Sequence, residues 1–387
     1  MVKRNFIFQL DMIVLIFILF GIKALCDIGK IEYGIVLITG IMCLYGLWKR
    51  CVSETMLSIV LWYMVYMMAQ MYGLINNFSL YAIRCIIASV LILLFFIYCS
   101  EFMGLVMLPL LCKMYYLFQI VLWIKVLRQG IVTLSQHNVW AGYYLFLFAI
   151  YAVMYILSTE SKEVLSFKQW CVLLVNGISC ILLIYFTDSR AAILTGGIIF
   201  LCFVLFMYHT PSLRTMKMGY WIAIIGIAII TIFYINIRTY DWYDTLNNYS
   251  QMFFSKNIDS ARGYLWSTGL EQVGSHWLLG IGTGVLPNLI RFSTSSYHNM
   301  YIQLYIQNGL VGLGSVVIVL YMIWKTLCQY KDDLVIKLVM ACMVGIIFYN
   351  CFEVALLANK VALGLMQWFI MGIGIKYVRR LKGANKN

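Results

Sequence analysis

About twelve stretches of this chain stay apolar for close to twenty residues each, and no other feature limits its fold as severely. A helix needs about 20 apolar residues to cross a hydrocarbon core roughly 30 Å thick, and inside that core every backbone polar group must be satisfied within the segment. The runs fall at 6–25, 31–48, 56–75, 80–99, 102–124, 139–157, 168–186, 191–208, 219–236, 299–323, 334–351 and 355–376. The expectation is an all-α polytopic membrane protein with about twelve transmembrane helices. Charged residues make up only 11% of the chain, where a soluble protein has about 25%. The opening run, "MVKRNFIFQLDMIVLIFILFGIKAL", is too long for a signal peptide and lacks a small-x-small cleavage site, so it reads as a retained first span.

The formal net charge is +13, but the basic residues are dispersed in short clusters between the runs: Lys3-Arg4, Lys49-Arg50, Arg214 with Lys217, Lys325 with Lys331, and the tail from Lys376. A nucleic-acid face would instead gather them on one surface, so no nucleic-acid partner is expected. With the N-terminus inside, cytoplasmic loops and termini collect roughly sixteen of the 28 Lys and Arg residues, as the positive-inside rule requires. An even number of spans returns "KYVRRLKGANKN" to the same side. Twelve cysteines lie mostly within apolar runs and form no Cys-x-x-Cys pair, so neither a disulfide framework nor a metal site is expected.

One connection differs from the rest. Residues 237–297 are polar yet rich in aromatics, and by the span count they lie on the outer face. Loops longer than about 15 residues are usually functional or disordered, and so many aromatic rings argue against disorder. Short helices are expected near 261–273. The chain thus divides into spans one to nine (1–236), a large outer loop (237–297), and spans ten to twelve with a cytoplasmic tail (298–387).

The charged residues outside the cytoplasmic clusters concentrate toward the outer side. They include Arg84, Arg190, Arg262, Arg291, Glu353 and Lys360, joined by His298. Each has a structural reading: Arg84 snorkels to the headgroups, Arg190 pairs with Asp188 across "TDSR", Asn299 caps the tenth span behind a merely polar His298, and Glu353 pairs with Lys360. Taken together they describe an anion site. Arginine forks match phosphate oxygens and stay charged when partly desolvated, and ionisable groups at membrane depth usually mark function. The segment "GIGTG" at 280–284 lacks the strand and βαβ unit of a dinucleotide loop and reads as a turn where backbone lies close to a neighbour.

Three segments in order, "DSRAAIL" (188–194), "ARGYLWSTGLEQVGSHWLLGIGTG" (261–284) and "YHNMYIQLYIQNGLVGLG" (297–314), resemble the bacterial O-antigen polymerase/ligase superfamily. The resemblance implies a GT-C-like, metal-independent glycosyltransferase that needs no cofactor. Such an enzyme moves a glycan from undecaprenyl diphosphate to an acceptor sugar on the outer face of the bacterial cytoplasmic membrane. By motif position, Arg190 and Arg262 would hold the diphosphate and His298 would serve the acceptor hydroxyl. Arg84, Arg291 and Asn299 would line the substrate site, and Tyr264, Trp266 and Trp242 would stack on sugars. The implied partners are the lipid-linked oligosaccharide donor, a glycan acceptor, the bilayer, a chain-length regulator and a flippase.

Within the superfamily a polymerase extends one lipid-linked O-antigen or capsule repeat unit with another, and a ligase passes the finished chain to a lipid A core or other acceptor. The "GIGTG" and "ARGYLW" segments favour the polymerase, with the ligase as the alternative. A lipid-glycan transporter would need charge near mid-membrane and often an internal repeat. Lys113 is the one such residue, and no repeat is visible.

Overall fold

The computed structural model describes residues 14–24, 29–49, 53–103, 108–129, 137–159, 165–254, 257–258, 262–287, 296–357 and 359–384, and among them all regular structure is helical. In chain order the helices are α1 (Val14–Ala24), α2 (Gly29–Lys49), α3 (Glu54–Asn76), α4 (Leu80–Glu101), α5 (Leu108–Gln129), α6 (His137–Ser158), α7 (Phe167–Tyr185), α8 (Arg190–Tyr208), α9 (Leu213–Ile235), α10 (Tyr243–Phe254), α11 (Arg262–Val273), α12 (Met300–Leu327), α13 (Leu334–Tyr349) and α14 (Val361–Ala384). Among the described residues, nine are long and apolar enough to cross a membrane, while α1, α2 and α13 supply shorter apolar stretches. The protein is a multi-pass membrane protein. Helices α1–α9 and α12–α14 correspond to the twelve expected runs, and α10 and α11 belong to the large loop.

Many of the helices begin on a side-chain cap. Ser53, Ser79, Ser166, Ser189, Ser212, Asn299 and Asp333 each accept from a first-turn amide of the helix that follows, satisfying donors that have no partner within the helix.

Two boundaries differ from the apolar runs. Among the described residues helix α5 begins at Leu108 and not at 102, with Pro109 in its first turn, where proline is tolerated. Helix α14 starts at Val361 and not at 355, because the described residues of 350–360 form a non-helical turn. The buried Asn350 organises it. Its Oδ1 accepts from Ala355 N (3.1 Å) and Leu356 N (2.9 Å), and its Nδ2 donates to Ile346 O (2.8 Å) and Gln367 Oε1 (3.0 Å). That turn carries Glu353 inward.

The core lies where α3 meets α12, α4 meets α14 and α8 meets α13, around the almost fully enclosed α6. Helix α9 stands apart, with 6% of its apolar window buried against 89% for α6 and α14. It packs on α11 and α12 and not along the preceding α8.

Helix α12 is broken at Gly309, which adopts φ 61° and ψ −163°. The amides beyond the break, Leu310 N and Val311 N, donate to Trp277 O (2.9 Å) and Leu278 O (3.0 Å) of the large loop. In return Ile281 N and Gly282 N donate to Ile306 O (2.9 Å) and Gln307 O (3.2 Å). The loop is thus threaded into the helix break. The irregular backbone is tolerated because these cross-bonds satisfy the amides and carbonyls that the break frees. Side chains at Gly280 and Gly309 would collide with the facing backbone, and both have positive φ. The "GIGTG" segment is therefore a close-approach turn, as its sequence suggests.

Candidate functional site

The beginnings of α6, α8 and α12 converge with the 350–360 turn at one end of the bundle. Local backbone geometry prepares the meeting. Asn299 Oδ1 accepts from Tyr301 N (2.9 Å) and Ile302 N (3.1 Å), which starts α12 and fixes the residue before it. That residue, His298, takes the left-handed φ of 51°, a conformation that costs energy in a non-glycine residue and persists only when its surroundings enforce it. The enforcement is visible: His298 N donates to Ser296 Oγ (3.0 Å), Trp266 Nε1 to Tyr297 O (2.7 Å), and Met300 N to Asn350 O (2.9 Å). Among the described residues the other positive-φ non-glycine is Asp188, two positions before Arg190. Both left-handed residues fall beside proposed functional groups.

A chain of polar contacts joins these elements. Ser189 Oγ, at the cap of α8, donates to Asn138 Oδ1 (2.8 Å), and Asn138 Nδ2 donates to Glu353 Oε1 (3.1 Å). His298 Nδ1 lies 3.4 Å from the same Glu353 oxygen, within ion-pair reach but longer than a well-formed hydrogen bond. Tyr349 Oη donates to Asn138 O (2.7 Å) and anchors the start of α6. Arg262, the first residue of α11, sets its guanidinium 6.0 Å from the Phe352 ring, next to Glu353 in sequence.

Glu353 is 5% exposed. Burial pushes its carboxyl upward, but the His298 contact, the positive charge of Arg262 and the Asn138 hydrogen bond together hold it below the ordinary glutamate value. It is an ionised carboxylate in a dry setting. His298 Nδ1 is shielded from solvent while the side chain as a whole is 36% exposed, so the open edge of the ring is the Nε2 side. A carboxylate at Nδ1 favours the tautomer with the proton there, leaving Nε2 as an acceptor.

The sequence-nominated residues fare differently. Arg190, half-buried, opens α8 directly after Ser189; His298 lies against Glu353, and Arg262 acts on Glu353 through space. Asn299 is fully buried as the cap of α12, with its Oδ1 committed to backbone amides. Arg84 faces Glu32 of α2 at 4.0 Å and is 52% exposed, which links it to α2 and not to the Glu353 network. Tyr264 is 59% exposed on α11. Trp266 is a correction: its ring is 4% exposed and packs among Leu265, Val273, Tyr297 and Ile306, so no sugar can stack on it. Trp242 stacks with Tyr240 (7° between planes) and Phe233 (18°) near the end of α9. Arg291 lies outside the described residues. Lys113 sits within two turns of the start of α5 on an exposed face, where its stem can reach the membrane surface.

Two participants, Asn138 and Ser189, are not singled out by the sequence; Glu353 is named there among the outer charges with Lys360 as its structural partner, and its contacts run to His298 and Asn138. One signal was available: "HNVW" at 137–140 puts a second His-Asn pair at the start of a span, as "HNMY" does at 298–301.

The fold and site define a multi-pass helical membrane protein with cationic groups, a histidine and a buried carboxylate gathered at one end of the bundle. A model of the O-antigen ligase family matches residues 175–317, from α7 into α12. Over that stretch the resemblance to the O-antigen polymerase/ligase superfamily rests on a family match as well as on the motifs. The matched segment contains Arg190, Arg262, His298 and Asn299, while Asn138 and Glu353 lie outside it. No curated protein matches the chain.

Proposed function

We propose that this protein is a glycosyltransferase of the outer membrane face. It transfers a glycan from undecaprenyl diphosphate to a sugar hydroxyl of another lipid-linked repeat unit. The observation that carries the proposal is the convergence of Arg262, His298 and Glu353 with the cap of the helix that Arg190 opens. Arg190 and Arg262 hold the diphosphate, and Arg84, Arg291 and Tyr264 are placed here as outlying substrate contacts.

The residues account for each requirement of the transfer. The acceptor O–H gives its proton to His298 Nε2 as the new C–O bond forms at the donor's anomeric carbon. The bond from that carbon to the diphosphate breaks, and its electron pair leaves with the phosphate oxygen. Arg190 and Arg262 stabilise the departing charge, which preorganised cations do effectively in a water-poor site. Glu353 stabilises the imidazolium that appears at His298, and Asn138 holds Glu353 in place.

A second reading, the ligase, is favoured by the description of the matched family. It uses the same chemistry with a lipid A core or another carrier as acceptor. The "GIGTG" segment serves the break in α12 and lends no weight to either.

The test is to incubate purified protein in nanodiscs with one lipid-diphosphate-linked repeat unit and resolve the products on a gel. A ladder that disappears in Arg190→Ala, Arg262→Ala and His298→Ala variants supports the polymerase. Folded protein that makes no ladder from its own organism's repeat unit, yet transfers to a lipid A core, makes it a ligase.

A further inference from the structure

Helix α10 is a part of the large loop that the proposed chemistry does not use, and its two sides differ. Leu246, Tyr249 and Met252 recur every third residue along one side and are 45%, 54% and 75% exposed. Asp244, Asn247, Asn248 and Gln251 fall on the opposite side, as helical spacing requires. That polar side is engaged with the chain that follows it. Asn247 Oδ1 accepts from Ile258 N (3.0 Å), and Gln251 Nε2 donates to Asn257 Oδ1. The apolar stripe is turned outward.

What covers the stripe follows from its level in the fold. Helix α9 has 23 residues, roughly 34 Å at 1.5 Å per residue, against a hydrocarbon core of about 30 Å. Phe233, two residues before the end of α9, therefore lies at a membrane boundary. The chain does not rise from there into water. It turns back through a 3₁₀ turn at Ile237–Thr239, and the rings of Tyr240 and Trp242 stack on Phe233 with centroids 5.0 and 5.7 Å away. Those two rings are 7° from parallel, so the joint closes as one stack. Leu246 N then donates to Trp242 O (3.1 Å), and α10 begins level with the last turn of α9. Aromatic rings are enriched at that level of a membrane protein. Ile225, Ile229 and Ile232 share the face of α9 that Phe233 completes, and each is more than half exposed. The lipid-facing surface of the span thus runs on into the stripe of α10.

We infer that α10 lies in the membrane interface, with Leu246, Tyr249 and Met252 immersed between headgroups and acyl chains, and that it moors the large loop to the lipid surface. A helix with one apolar and one polar face and little net hydrophobicity takes this position. Asp244 is its one charged residue, so attraction to anionic headgroups contributes nothing and the stripe carries the binding. The mooring extends to α11. Ile258 is held by Asn247 of α10 and by Tyr234 of α9, whose Oη donates to Ile258 O (2.8 Å) and whose ring packs on Trp266 with centroids 5.3 Å apart. The helix that Arg262 begins is tied in this way to the helix that rides on lipid.

The test uses full-length protein in nanodiscs of phosphatidylethanolamine and phosphatidylglycerol. A diazirine-bearing amino acid is placed at position 246, 249 or 252, at 244 or 248 on the polar side, or at 229 on α9 as the lipid-exposed reference. After illumination, phospholipid adducts are measured by mass spectrometry. Adducts at 246, 249 and 252 should approach those at 229 and exceed those at 244 and 248 by about tenfold, as an immersed apolar face requires. Equal labelling of the two sides, or cross-links to a second copy of the chain in place of lipid, would overturn the inference. A second variant needs no photochemistry. Leu246→Asn, Tyr249→Asn and Met252→Asn together remove the stripe and leave the polar side and its contacts with Asn257 and Ile258 in place. Protease added to the nanodiscs should cut the large loop several-fold faster in this triple variant, since a segment released from its contacts opens more often. Equal cleavage rates in variant and wild type, both monodisperse, would sink the mooring as well.

Discussion

Two buried carboxylates sit at opposite ends of the bundle, and they are compensated in different ways. Glu101, at the end of α4 with its side chain 3% exposed, pairs with Arg379 of α14. It also accepts from Ser53 Oγ (2.8 Å), and its backbone carbonyl accepts from Lys376 Nζ (2.7 Å). Its side-chain partners here are a guanidinium and a hydroxyl, neither of them an acid or base that works near neutral pH. Glu353 has a neutral amide, Asn138, and the imidazole of His298, a side chain that can serve as an acid or a base. Arg262 acts on it through space. A carboxylate that is fully paired fastens helices; one that is paired to a titratable ring with an open edge can do chemistry.

The comparison is tested most strongly by the ring itself. His298→Ala should lower transfer per folded molecule by about 10²–10⁴-fold, the usual worth of a positioned acid or base. Residual activity near wild type would make the two ends alike. Glu353→Gln should cost about 10–100-fold, less because the ring remains, in line with losses on removing an orienting partner. The same variant reports on pH. The folded-state carboxyl of Glu353 lies below 4.5, so its ionised form stabilises the protein across neutral pH. That contribution is lost as the pH falls from 4.5 through the lower folded value. A melting curve followed from pH 6 to pH 3 should therefore decline less steeply in Glu353→Gln than in wild type.

At the other end the expected effect is on stability alone. Arg379→Met strands the Glu101 carboxylate. Breaking a buried pair costs about 3–5 kcal/mol, and since Arg379 is 40% exposed a loss of about 2–3 kcal/mol is the better expectation. Activity per folded molecule should not change, which a transfer assay normalised to the monodisperse fraction would check. Reduced turnover in the folded fraction would mean that the clamp end communicates with the site.

The bundle was legible because lipid imposes a strong and local signal: about twenty apolar residues in a row, closed by Ser, Asn or Asp at the next start. The exceptions were also local once seen, such as Pro109 in the first turn of α5. The 350–360 turn was not legible, because its backbone is held by Asn350, and an asparagine beside a short "NCFE" break looks like any turn residue. His298, Arg190 and Arg262 stood out as polar groups with no place in an apolar setting. Asn138 and Ser189 did not, since uncharged polar residues at helix starts ordinarily cap. Their significance comes from partners far along the chain: the Asn138–Glu353 contact spans 215 positions. Trp266 misled in the opposite sense, because an aromatic in a polar outer loop suggests a surface, while its indole N–H was already committed to the residue before His298.

That indole supplies the mildest and most discriminating test. The site end is fastened by neutral hydrogen bonds where the Glu101 end is fastened by charge, and Trp266 Nε1 to Tyr297 O is one of these fastenings. Trp266→Phe keeps most of the ring packing but leaves a buried carbonyl without its donor, a loss of about 1–2 kcal/mol. Because the bond steadies the backbone that holds His298 at its left-handed φ, kcat should fall a few-fold along with the melting temperature, while KM for the glycan stays put. A sugar-stacking tryptophan would behave in the reverse way, with KM raised and the melting temperature unmoved. Steady-state kinetics and a thermal melt on the one variant separate the two, and a rise in KM alone would return Trp266 to the substrate surface.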